Sequence, residues 1–120
     1  MAENIIKTKS FSFALRIIKL FQFLNQEKKE FILSKQLLRS GTSIGALVRE
    51  SEQAESKKDF IHKLAIAQKE ANETDYWLEL LFQSDYLNET QFKSIKFDIV
   101  EINKILASII ITTKQKIEAK

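Results

Sequence analysis

Glu70 and Glu73 stand three apart in "KEANETDYW", a spacing that sets two carboxylates on one side of a helix. Paired acids do general acid–base work when their environments separate their proton affinities. Here they flank an apolar stripe beside Trp77, which suits ion pairing with arginines such as Arg39 or Arg49 at a bundle or subunit boundary. His62, the single histidine, follows Asp59 by three residues. One imidazole falls short of the paired Glu-x-x-His sites of di-metal bundles, so a surface histidine is expected and no metal. Ser40, Thr42 and Ser43 have no histidine base near them in sequence, and hydroxyls inside a helix return to backbone carbonyls. No catalytic residue and no cofactor site is expected, and the chain does not read as an enzyme. The cations offer another chemistry. Lys28, Lys35, Arg39 and Arg49 fall within roughly 80° of one another in helical projection, and Arg16 and Lys19 extend the set. Such a stripe is either a solvated face paired with Glu30 or Glu50, or a seat for the phosphates of RNA or DNA. No base-stacking aromatic motif accompanies it, so binding there would be to backbone or shape.

Helices must position these side chains. The 120 residues hold no proline, and 2 glycines where average usage gives roughly eight, so turns are scarce and elements are long. Hydrophobic residues at 44% against charged residues at 29% support one packed domain over residues 1–120. The absence of cysteine rules out disulfides and thiolate metal sites. Lysines and an arginine among the first twenty residues exclude a signal-peptide core. The apolar run "ILASIII" is far shorter than the roughly 20 residues of a membrane span. A cytoplasmic protein without a membrane role is expected, and the net charge of +3 permits a nucleic-acid partner without requiring one.

Periodicity gives four helical segments, at about residues 10–24, 27–54, 56–84 and 89–117. Ser10 offers an N-cap for the first and Asn25 a stop. Ser56 with Asp59, and Asn88 with Gln91, have capping-box spacing. Phe60, Leu64, Ala67, Ala71, Thr74, Leu78 and Leu81 step by four and three without a slip, and Phe92, Ile95, Ile99, Ile102, Leu106 and Ile109 repeat that rhythm. Short links between such segments force neighbours to run antiparallel. The expected fold is all-α, an antiparallel up-down-up-down four-helix bundle.

Both glycines fall in "RSGTSIGALVRE". A helix break there would scramble phase, yet Leu33, Leu37, Gly41, Ile44 and Val48 stay within roughly 80° of one direction. One unbroken helix is expected, with Ser40, Gly41, Ser43 and Gly45 as a helix-packing motif. Two mid-helix glycines cost roughly 1 kcal/mol each, which close approach of a neighbour's Phe or Ile would offset. A phosphate-binding loop lacks its Gly-Lys-Ser/Thr ending.

The run "KQLLRSGTSIGALVRE" followed by "SKKDFIHKLAIAQKEANETDYWLELL" resembles the 23S rRNA intervening-sequence proteins, over roughly residues 10–87. Leu47 stands where that family has asparagine, and Ser51 where it has alanine or glycine. The resemblance implies a homopentameric four-helix bundle without established catalytic activity. It also implies kinship with the accessory variability determinant of diversity-generating retroelements, a basic pentamer that works with a reverse transcriptase and nucleic acid.

Apolar residues exceed what one subunit buries. Phe11, Phe13, Leu15, Ile17, Ile18, Leu20, Phe21, Phe23 and Leu24 point in nearly every direction around their helix, and Phe97, Val100 and Ile111 lie opposite the main stripe of theirs. Those last three are expected at an oligomer interface. The function expected is therefore a non-enzymatic oligomeric bundle that binds RNA or DNA through basic helix faces with little sequence specificity. The alternative is a scaffold for a protein partner, with no nucleic-acid role.

Overall fold

A computed structural model describes residues 2–119, which form four α-helices: α1 (Ala2–Gln26), α2 (Leu33–Ser51), α3 (Lys57–Gln83) and α4 (Glu89–Glu118). Each packs on its two neighbours in the order α1–α2–α3–α4–α1, giving a rod of 53 × 22 × 20 Å. This is the all-α, up-down-up-down four-helix bundle that the three-four spacing dictates. Its core holds Leu64, Ala67, Ala71, Thr74, Leu78 and Leu81 of α3 against Ile95, Ile99, Ile102, Leu106 and Ile109 of α4.

Two helix starts differ from the sequence expectation. α1 begins at Ala2, so Ser10 is no cap. It is buried, and its hydroxyl donates to the Lys7 carbonyl at 3.3 Å. Ile6, Ser10, Phe13, Ile17 and Leu24 continue one inward stripe, and burial of Ile6 carries the helix past the polar opening. α2 begins at Leu33 and not at residue 27, which leaves Lys28 in the preceding loop. That loop turns at Lys29, whose φ is 54°, and the Glu30 N–H closes α1 by donating to the Leu24 carbonyl at 2.9 Å. Glu30 then caps the next helix. Its buried carboxylate accepts the N–H groups of Ile32, Leu33 and Ser34 at 3.2, 3.0 and 2.7 Å. At the other end, α2 stops at Ser51, short of residue 54. The cap of α4 forms as the spacing predicts, and that of α3 forms by half, since the Asp59 carboxylate accepts from the Glu55 N–H at 3.2 Å and not from that of Ser56. Ser56 accepts from the Asp59 N–H, and Asn88 and Gln91 complete a reciprocal box.

α2 runs unbroken through both glycines. A Cβ on Gly41 would sit 2.8 Å from Cγ1 of Ile17, and one on Gly45 would sit 3.3 Å from the Ser10 carbonyl oxygen. The missing side chains let α1 and α2 approach closely, and Ile17 fills the notch. Of the neighbouring hydroxyl residues, Ser40 is buried and Ser43 half-buried. Ser40 and Thr74 meet across the α2–α3 seam at 2.9 Å, and Ser43 donates to the Arg39 carbonyl at 2.6 Å.

Candidate nucleic-acid interface

The bundle sorts the expected cations into two groups. Arg39 is engaged from α3, where Glu70 accepts at 3.2 Å and Glu73 accepts through the other guanidinium nitrogen. The Trp77 indole N–H also donates to Glu73 at 2.9 Å. That indole bond and the guanidinium together hold the Glu73 carboxyl below the usual carboxylate range. Glu73 and Glu70 in turn raise the proton affinity of Arg39. The expected partnership of Glu70 and Glu73 with an arginine is thus met by Arg39, within one subunit, and Arg49 stands apart from it. Arg16 is likewise engaged, with Asp98 at 2.5 Å and the Ser94 hydroxyl at 2.8 Å, across the α1–α4 seam.

The rest face solvent. Lys28, displaced from α2, lies over the Phe23 ring at 6.0 Å, and Arg49 lies over Phe11 at 5.2 Å. Lys19, Lys35 and Arg49 are exposed and take part in no ion pair among the described residues. The four-cation stripe drawn on α2 is therefore reduced to Lys35 and Arg49, roughly four helical turns apart, with Lys19 on α1. Glu50, which sequence could set against this stripe, instead meets Lys63 of α3 at 3.5 Å, and Glu30 is used as a cap.

Beside Arg49 an open groove of about 360 Å³ runs between α1 and α2. Phe11, Leu15 and Ile18 form one wall, and Thr42, Gly45 and Ala46 form the other. All three wall residues of α1 are exposed, Leu15 at 49%. Phe97, Val100 and Ile111 are exposed on the outer side of α4. His62 is exposed, and no cluster of three or more histidines and carboxylates suited to a metal occurs among the described residues. Ser40, Thr42 and Ser43 all lie within hydrogen-bond reach of backbone carbonyls of their own helix.

The family model described as 23S rRNA-intervening sequence protein matches residues 2–108. The chain belongs to this family. Among solved structures it is similar to a protein of unknown function from the S23 ribosomal protein family of Bacteroides thetaiotaomicron, at 60% identity and a TM-score of 0.91. The match covers 92% of this chain and 98% of that one. Proteins of curated function give no match. Of the two positions where the resemblance implies other residue types, Leu47 packs at the edge of the core, and Ser51 is buried with its hydroxyl donating to the Val48 carbonyl at 2.6 Å. An apolar contact and a backbone bond occupy those two places. Among the described residues no helix is long and apolar enough to cross a membrane.

Proposed function

We propose that this protein is a non-enzymatic, oligomeric helical bundle that holds the phosphate backbone of RNA or DNA with little sequence specificity. The observation that carries this reading is the set of Lys19, Lys35 and Arg49, exposed and without carboxylate partners among the described residues, on a subunit of net charge +3. Three cations on one subunit bind weakly. Repeated by rotational symmetry they become a multivalent surface whose affinity falls steeply with salt. The resemblance to pentameric relatives sets the expected copy number at five. The words rRNA and ribosomal in the descriptions of the family and of its structural neighbour are in keeping with an RNA partner.

Electrophoretic mobility shifts over a salt series test the proposal. Binding at low salt that weakens with added salt is expected. The double variant Lys35→Glu/Arg49→Glu should bind more weakly and show a shallower salt dependence. No shift at low salt would end the nucleic-acid reading. A specific protein captured equally well by wild type and by that double variant would support the scaffold alternative.

A further inference from the structure

The outer faces of α3 and α4 carry a pattern separate from the α2 cations. On α3, Lys58, Lys69 and Tyr76 are exposed, and steps of eleven and seven residues return all three to one side of the helix. On α4, Phe97, Val100, Lys104 and Ile111 are exposed at steps of three, four and seven. Contacts between the two helices fix their register. Lys96 reaches Asp75, the Asn103 side-chain amide donates to Asn72 at 3.4 Å, and the rings of Phe82 and Phe92 stack at 4.3 Å. In that register Tyr76 stands level with Phe97, and Lys69 level with Lys104. Lys58 and Lys114 come together in an open depression floored by Ile61 and Ile117, with Glu118 at its rim.

Both rings are in water, Tyr76 at 57% and Phe97 at 69% exposure. Lys58, Lys69, Lys104 and Lys114 take part in no ion pair among the described residues. Of the neighbouring acids, Asp75 and Glu79 are engaged by Lys96 and Glu89 by Lys93, while Glu118 at the rim of the depression takes part in no ion pair among the described residues. Partial burial opposes the charge on Lys96, but its bonds to Asp75 and Glu79 raise its proton affinity, and this one ammonium is shared between the two carboxylates. The outward faces of the two helices thus carry lysines along their length, with Tyr76 on α3, set edge-on to Trp77 at 5.1 Å, and Phe97 on α4 at the same level.

Phosphate contact alone has no use for exposed rings. A duplex hides its base faces in the stack and offers backbone, whereas a single strand offers both faces and phosphates. A second copy of the same face laid parallel to it would bring lysine against lysine. We infer that the α3–α4 face is a strip for single-stranded RNA or DNA, with Tyr76 and Phe97 stacking bases and Lys58, Lys69, Lys104 and Lys114 following the backbone. From Phe97 to Lys114 the strip runs about 25 Å along the helix, enough for roughly four nucleotides, the small end of known single-strand sites. The inference rests on the nucleic-acid reading above but assigns a different face and a preferred substrate.

Fluorescence anisotropy tests it with a short labelled oligouridine, an oligothymidine of the same length and a blunt duplex of that length. The single strands should bind more tightly than the duplex. Phe97→Ala should weaken single-strand binding about tenfold and leave duplex binding unchanged, and Phe97→Trp should keep it. Lys69→Ala and Lys104→Ala should each lower the salt slope. Equal binding of strand and duplex, indifferent to Phe97→Ala, would overturn the strip while leaving backbone binding elsewhere intact. No binding of any oligonucleotide at low salt would end both readings. A smaller assembly for Phe97→Ala in light scattering would assign the face to a second copy of the chain and overturn the inference.

Discussion

At the scale of single residues, Gly41 shows how one missing side chain sets a seam. Replacing it with alanine gains helix propensity worth about 1 kcal/mol. The new Cβ, however, meets Ile17 at 2.8 and 2.9 Å on the two branches closest to its backbone, and Ile17 is fully buried. These branches cannot swing aside as a long side-chain tip would, and forced overpacking in a core costs about 1–3 kcal/mol. The clash outweighs the propensity gain. Gly41→Ala should therefore lower the midpoint of urea unfolding. Gly45→Ala, whose Cβ would meet only the Ser10 carbonyl region at 3.3 Å and beyond, should change it less. A stabilised Gly41→Ala protein would show that α1 and α2 are not held at this distance. The glycine pair was legible from phase alone, because a stripe that keeps register through Gly41 leaves no room for a break. The partner residue was legible only as a type, since sequence cannot say which isoleucine of which helix arrives there.

Helix ends are where elements were hardest to read. Chain reversals usually announce themselves by glycine or proline, and the turn before α2 has neither. Lys29 takes the left-handed conformation itself, and Glu30 reaches forward as a cap from two residues before the flanking position. Polar residues in "NQEKKE" continue a helical pattern as well as they form a loop, so the expected start fell six residues early. Ser10 misled in the opposite way. A hydroxyl residue before an apolar run has the look of a cap, and only the inward phase of Ile6 shows that the helix has already begun. The Glu30 device makes α2 sensitive to acid. Burial raises the affinity of this carboxyl for a proton, but hydrogen bonds from Leu33, Ser34 and Ile32 and from the Ser34 hydroxyl together hold it below its ordinary 4.5. A carboxyl depressed on folding contributes stability above its unfolded value and loses it as pH falls through the folded one. Stability should thus decline as pH drops below about 4.5 toward that lower value. Glu30→Gln keeps a single acceptor oxygen for three backbone donors, and should cost about 1–2 kcal/mol at neutral pH. It should also flatten the acid limb of a plot of stability against pH. A limb unchanged in Glu30→Gln would assign the loss to other carboxylates.

On the scale of the whole molecule, the question is what one subunit leaves uncovered. Sequence showed that α1 is apolar nearly all round, and the bundle shows which part of that surface stays out: Phe11, Leu15 and Ile18 along the groove with α2. The fate of the cations was not legible. Arg16 and Asp98 are 82 positions apart, and Arg39 and Glu73 are 34 apart, so their pairing depends on helix rotation that no local pattern encodes. The consequence is quantitative. With two arginines held by carboxylates, one subunit retains few free charges on its α1–α2 side, and useful affinity for a backbone then requires copies held together. Leu15→Glu separates assembly from folding, because Leu15 is half exposed in the subunit and a carboxylate there costs the fold little. Pressed into a subunit contact without a partner, the same carboxylate would cost several kcal/mol. Light scattering should give the wild type a mass that is a multiple of 14.0 kDa. Leu15→Glu should move toward a single subunit with its helical circular dichroism unchanged, and with weaker nucleic-acid binding although every cation is retained. A wild type that runs as one subunit would remove the reason for the uncovered groove, and with it the multivalency on which backbone binding by Lys19, Lys35 and Arg49 depends.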